Sequence, residues 1–226
     1  MGAPSSPLVI FDCDGVLVDS EPISFAVLRD TLSSVGVELE ESRAYRRFLG
    51  KSMASITRMI AEEFNISLSD EHIEAMRTQL FARFQMELQP VPGMVEMLAQ
   101  FTLPHCVASS SQMERIRLSL TRTGLIGFFE PNIFSATMVE RGKPEPDLFL
   151  HAATAMGFAP ENCIVIEDSP AGIQAAHSAG MKVFAFTGGS HATISNLHDI
   201  VEGLKPTLIF DDMRTLPRLI EDAVRF

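Results

Sequence analysis

Leu8 to Ser20 reads LVIFDCDGVLVDS: an apolar run of β-strand character passes directly into Asp12 and Asp14, and Asp19 follows in the same segment. Charge is costly to bury, so carboxylates at the end of such a strand need a reason to be there. A turn or a helix cap would explain one aspartate, with Gly15 supplying a backbone conformation that other residues avoid. It does not explain a group of them.

The rest of the chain places that strand. From Glu21 to about Gln89 the sequence is helical in character, and Ile73, Met76, Leu80, Phe81 and Phe84 recur at helical spacing. That stripe is read as packing within a small helical unit. From Pro92 onward short apolar strands alternate with helices. Strands are expected at 105–110, 132–136, 162–168, 182–186 and 207–212, and QMERIRLSLTRTG, PDLFLHAATAMG and SPAGIQAAHSAG between them each close on glycine. The expected fold is α/β: a Rossmann-like parallel sheet with helices on both faces. The opening strand belongs to the same sheet, so residues 1–18 and 90–226 form the core domain and 19–89 an inserted α-helical cap, with QPVPG as the return hinge.

Composition narrows the partners. A chain of 226 residues, 46% apolar, is an ordinary globular protein, and a formal charge of −11 argues against nucleic acid or an anionic membrane surface. Cys13, Cys106 and Cys163 lack disulfide or zinc spacing and are read as buried residues in a reducing compartment. No apolar run is long enough for a membrane helix, MGAPSS reads as a polar linker rather than a lipidation signal, and the cytoplasm is the expected setting. A monomer or small homo-oligomer is expected.

In an open parallel sheet, ligands bind beyond the carboxyl ends of the strands. Asp12 and Asp14 end the first strand, Ser109 to Ser111 the second, and Glu167 and Asp168 the strand at 162–168. Two like charges about 4 Å apart repel by about 4 kcal/mol at a protein-like dielectric, so four acids at one edge imply a hard divalent cation, Mg²⁺. Mg²⁺ shares its positions with phosphate, and Lys143 in ERGKPEPDLF adds a point charge for the same anion. The combination points to phosphoryl chemistry.

These residues also carry a resemblance. FDCDGVLVDS, VASSS, GKPEPDLF and VIEDSPAGIQAA are similar, in order, to the four motifs of the haloacid dehalogenase superfamily of hydrolases. The insertion resembles the helical-cap subgroup of phosphoglycolate phosphatases, sugar-phosphate phosphatases and β-phosphoglucomutases. The resemblance implies that Asp12 is a nucleophile forming an aspartyl-phosphate and that Asp14 is the general acid and base. It implies that Ser109, with Ser110 beside it, and Lys143 hold the phosphoryl group. Mg²⁺ would be bound by Asp12, Asp168 and the Asp14 carbonyl, with Glu167 supporting the shell.

The expected activity is Mg²⁺-dependent hydrolysis of a small phosphorylated metabolite, a sugar phosphate or a sugar-acid phosphate such as 6-phosphogluconate. A phosphosugar mutase is the rival enzyme, but Ser24 stands where a cap histidine is expected in the mutases, and Met53 where an arginine is. A degenerate phospho-ligand or metal-binding regulatory protein is the non-enzymatic alternative, and the intact motif set counts against it. In the cap, Lys51 is the expected substrate contact; Arg46 and Arg47 are either further contacts or an exposed charged helix face. The six histidines are given no role, and Asp19 and Ser20 are expected to organise the entry into the cap.

Overall fold

The computed structural model describes residues 6–48, 51 and 53–224, apart from the side chains of Ser42, Tyr45, Arg46, Met53 and Ala54. Most of the N-terminal segment read as a linker therefore lies outside the described residues. Strand β1 (Leu8–Phe11) consists of four apolar residues, all fully buried, which demands cover on both faces of a sheet. It pairs in parallel with β2 (His105–Ser109) and β4 (Cys163–Glu167). With β3 (Ile133–Ser135), β5 (Lys182–Phe186) and β6 (Leu208–Phe210) they form one six-stranded sheet in the order β3-β2-β1-β4-β5-β6.

This α/β sheet is the one the sequence pattern predicts. The observed strands stop a residue or more short of the expected ends at Ser110, Asp168 and Asp212, because those polar residues turn into loops. Chain order reverses between β1 and β4, which makes their junction the switch point of the sheet. Phe11 is level with Val107 on one side and Ile166 on the other, and Asp12 N donates to Ile166 O at 3.0 Å. Asp12 is thereby fixed at the height of Glu167.

Among the described residues five helices lie between β1 and β2 in the chain, and the first four form the inserted helical segment: α1 (Glu21–Ser34), α2 (Glu41–Phe48), α3 (Met53–Phe64) and α4 (Asp70–Glu87). Pro22 in the first turn of α1 and Ser69, whose hydroxyl accepts from His72 N ahead of α4, set two of the starts. The chain just before α1 and just after α4 runs side by side: Val91 N donates to Leu17 O and Asp19 N to Gln89 O, each at 3.0 Å.

After α5 (Met94–Leu98), the sheet is surrounded by α6 (Met113–Arg122), α7 (Ile126–Phe129), α8 (Asp147–Met156), α9 (Pro170–Ser178), α10 (Ala192–Ser195), α11 (Leu197–Glu202) and α12 (Leu216–Val224). The longer ones, α6, α8 and α9, fall on the three expected helical stretches. Among the described residues no helix is long and apolar enough to cross a membrane.

Cys13, Cys106 and Cys163 are free and buried. Burial pushes all three thiols up, Cys163 to about 11 with Glu161 adding to it. Since the thiolate is the reacting species, the native protein at pH 8 should show no fast reaction with Ellman's reagent. All three thiols should react once the chain is unfolded in guanidinium; a fast-reacting thiol in the native state would contradict this packing.

Candidate active site

The charged groups expected at the strand ends converge. Asp12, 7% exposed, follows β1; Glu167 ends β4 and Asp168 follows it, at 1% and 2%. Their carboxylate oxygens lie within 4.8 Å of one another. Lys143 reaches them from the loop before α8: its Nζ donates to Asp12 Oδ1 at 2.5 Å, Glu167 Oε1 at 2.8 Å and Ala108 O at 3.0 Å, and it stands 4.8 Å from the centre of the Phe149 ring. Glu167 Oε2 accepts from the backbone N and hydroxyl of Ser169 at 2.7 and 2.9 Å, so both of its oxygens are occupied.

Two glycines allow this crowding. A Cβ on Gly15, whose φ is +81°, would fall 1.9 Å from Asp168 Oδ2, and one on Gly172 in α9 would fall 1.7 Å from Glu167 Oε1. The Gly in DCDG is therefore required by its backbone conformation and by the close approach of an acid.

Burial holds the Asp12 carboxyl well above the usual range, and its acidic neighbours add to this against the pull of Lys143. Burial and Glu167 do the same to Asp168. The ammonium, although buried, is held above its ordinary value by Asp12 and Glu167. Asp168 Oδ2 is buried and accepts no hydrogen bond among the described residues; His191 Nε2 lies 3.2 Å from it. An orphaned carboxylate oxygen in an all-oxygen cluster, with more negative charge than one lysine balances, fits a hard divalent cation. A second group, His198, Asp199 and Glu202, is exposed and lacks these features.

Asp14 is held differently. Ser20 donates to Oδ1 at 2.7 Å, Ser111 to Oδ2 at 2.7 Å and Arg115 NH2 to Oδ1 at 2.8 Å. Burial alone would raise this carboxyl; the Arg115 charge and the hydroxyl donors outweigh it and bring it below its ordinary value. Asp12 and Asp14, two residues apart, thus sit in opposite electrostatic surroundings.

Above these groups is a cavity of about 860 Å³, with Asp12, Asp14, Ser109, Ser110, Lys143 and Glu167 in its floor. The inserted helices form much of the rest: Phe25, Phe48, Ile56, Ile73, Met76 and Phe81 line it, together with Lys51, Arg58 and Arg77. Of the expected site residues, only Asp168 is not in the lining; it lies beside Asp12 behind the floor.

Lys51 is exposed and lines the cavity. Arg47 pairs with Glu63 at 3.2 Å and is absent from the lining; the Arg46 and Met53 side chains fall outside the described residues. Ser109 Oγ accepts from Ser111 N at 3.1 Å and so shapes the loop as well as lining the floor.

Arg115, Glu21 and His191 escape the sequence reading, which places Ser111 at the strand end without giving it a role. Burial raises the Glu21 carboxyl to about 8 despite the opposing His191, and His191, given no role above, is buried against Asp168. Ser20, just ahead of α1, donates to Asp14, and Asp19 accepts from the Ser190 hydroxyl at 2.9 Å. The α4 stripe is only partly internal packing: Met76, Leu80 and Phe84 are buried, and Ile73, Met76, Leu80 and Phe81 also form cavity wall.

Residues 9–186 match the model of the family described as haloacid dehalogenase-like hydrolase. The chain is 34% identical over 184 residues to a 6-phosphogluconate phosphatase of Escherichia coli (strain K12), covering 81% of this chain and 83% of that one. It is 33% identical to hexitol phosphatase A of the same organism, covering 85% and 88%. A crystal structure of a conserved haloacid dehalogenase-like protein of unknown function from Agrobacterium tumefaciens str. C58 superposes with a TM-score of 0.83 at 34% identity, covering 97% and 99% of the two chains.

Replacing Lys143 with Met would leave Asp12 and Glu167 buried without their counter-charge. At pH 7 without added metal, urea unfolding should show a loss of about 3–5 kcal/mol. Asp12 is a carboxyl raised in the fold, so the penalty comes from its ionised form; the deficit should be small near pH 4 and grow as pH rises. A pH-independent deficit would mean that the lysine acts through packing alone.

Proposed function

For a chain that belongs to the haloacid dehalogenase-like hydrolases and is a phosphoric monoester hydrolase, we propose a Mg²⁺-dependent phosphatase acting on a small phosphorylated sugar or sugar acid. The observation that carries this reading is the pairing of Asp12 and Asp14 in one cavity floor: one carboxylate against Lys143, the other held by hydroxyls and Arg115. Each half of a double displacement needs both of them, one to carry the phosphoryl group and the other to move the proton.

In the first step an Asp12 carboxylate oxygen attacks phosphorus, the bond from phosphorus to the sugar oxygen breaks, and Asp14 gives that oxygen a proton; Arg115 and the hydroxyls keep Asp14 ionised before substrate binds, so it takes up that proton as the negative charge of the substrate enters beside it. In the second, Asp14 takes a proton from water, whose oxygen attacks phosphorus and releases inorganic phosphate from Asp12. Lys143 offsets the repulsion between Asp12 and the incoming phosphoryl group, and the loop at Ser109 and Ser110 holds its oxygens. Asp12, Asp168 and the Asp14 carbonyl, with Glu167 behind them, would hold Mg²⁺, which when bound neutralises charge on the transferring group.

The domain reading belongs with this mechanism. The paired crossings at Leu17–Val91 and Asp19–Gln89 support a core of 1–18 and 90–226 and a cap of 19–89 that swings to exclude water. Substrate choice is assigned to the cap wall and Lys51. The sugar phosphatases among the relatives support the substrate class, with 6-phosphogluconate as the first compound to try. Ser24 lies in the cavity lining and bonds Arg115, so the position expected to hold a mutase histidine is committed elsewhere, which favours hydrolysis over phosphosugar transfer.

Phosphate release should be measured over sugar phosphates, sugar-acid phosphates, phosphoglycolate and β-glucose 1-phosphate, with and without EDTA and added Mg²⁺. Metal-dependent release from the sugar or sugar-acid subset is expected, and glucose 6-phosphate appearing without free phosphate would sink the phosphatase reading. Asp12→Asn should lower kcat about a thousandfold or more while the protein remains folded. Lys51→Ala should raise KM by up to about fivefold on the preferred substrate and leave kcat on p-nitrophenyl phosphate near wild type; equal losses on both would place Lys51 in the common chemistry.

A further inference from the structure

Arg115 is the only cation among the described residues that touches Asp14, and it reaches it from α6 in the core while also contacting two of the inserted helices. Its NH2 donates to Asp14 Oδ1 at 2.8 Å and to Ser24 Oγ of α1 at 3.1 Å. Its guanidinium lies 5.0 Å from the centre of the Phe84 ring on α4. The side chain is 18% exposed and lines the cavity. One planar group thus holds the candidate acid–base and two elements of the candidate cap.

We propose that Arg115 is a positioning residue that sets the orientation of the Asp14 carboxylate according to where α1 and α4 stand over the site. The inference rests on the acid–base role given to Asp14 above. Asp14 Oδ1 takes bonds from both Ser20 and Arg115, and Oδ2 takes one from Ser111. Ser111 belongs to the core loop; Ser20 immediately precedes α1, and Arg115 is gripped by α1 and α4. Two of the three donors therefore follow the inserted helices. A shift of those helices changes the angle at which Asp14 meets the leaving oxygen, where a misplacement of about 1 Å can cost about a hundredfold in rate. Arginine suits this task because its rigid fork serves a carboxylate, a hydroxyl and an aromatic face at once, whereas a lysine is a point charge on a flexible stem.

The test compares leaving groups. A sugar alkoxide needs Asp14's proton to leave, whereas p-nitrophenolate does not, so in the first step a misplaced acid costs the first substrate and spares the second, while the hydrolysis that follows uses Asp14 equally for both. The ratio of kcat/KM on the preferred sugar phosphate to kcat/KM on p-nitrophenyl phosphate reports the step that expels the leaving group, without the hydrolysis common to both, and is independent of how much enzyme is folded. Asp14→Asn serves as the reference and should lower that ratio most. Arg115→Met, whose stem still stacks on Phe84, should lower it about tenfold to a hundredfold, mainly through kcat rather than KM, and Arg115→Lys should recover part of it. Phe84→Leu and Ser24→Ala should lower it in the same sense by smaller factors.

If Asp14→Asn collapses the ratio and Arg115→Met leaves it at the wild-type value, the positioning role is overturned while the acid–base reading stands. If Arg115→Met lowers the ratio and neither Phe84→Leu nor Ser24→Ala does, the link to the inserted helices is overturned. If Asp14→Asn lowers kcat/KM on both substrates alike, the proton-donor assignment falls and this inference with it.

Discussion

Lys143 Nζ lies between Asp12 and Glu167 with its side chain 1% exposed, and the arrangement of the site depends on that contact. Carboxylates belonging to two adjacent strands would repel strongly in so dry a place. The lysine comes from a third segment, the loop leading into α8, and its third hydrogen bond goes to Ala108 O at the end of β2. One ammonium therefore fixes the relative positions of the chain segments following β1 and β3 and of strands β2 and β4. It does not balance the cluster alone: Asp168 adds a further carboxylate with an orphaned oxygen, and that surplus of negative charge is what makes a cation part of the argument.

Strand register carries this constraint into the fold. Parallel pairing of β1 with β4 at the switch point puts Asp12 beside Glu167, and a slip of one residue would send a carboxylate to the opposite face of the sheet. Full burial of Leu8 to Phe11 and Cys163 to Ile166 resists such a slip. The two glycines complete the fit, since the space a side chain would take at Gly15 and Gly172 is occupied by Asp168 and Glu167.

The sheet was legible because fully buried parallel strands read as continuous apolar runs, and the floor of the cavity was legible because acids directly after such runs have few structural excuses. The rest of the site was hidden for physical reasons. Arg115 looks like any cation on an amphipathic helix, and only the folded chain brings it across 101 positions to Asp14. His191 meets Asp168 from a loop with no spacing signal, and Glu21 resembles an ordinary acid in a helix first turn. The α4 stripe misled in another way. Periodicity reports that a face is apolar, not whether it meets another helix or a cavity, and in α4 one face does both.

That double use bears on how the site works. Its floor is charged and hydrogen-bonded; much of the wall contributed by the inserted helices is aromatic and aliphatic, with Lys51, Arg58 and Arg77 among it. A sugar offers an apolar face of C–H groups as well as hydroxyls, so such a wall can pack against it while cations meet a distal acid or hydroxyl. With a substrate filling the cavity, such a wall would also exclude water from the floor, which would strengthen each electrostatic interaction there. In the proposed mechanism the inserted helices would do more than select a leaving group. Through Ser20, Ser24 and Phe84 they are joined to the residues that hold Asp14, so the elements proposed to recognise the substrate are in contact with the group proposed to give it a proton.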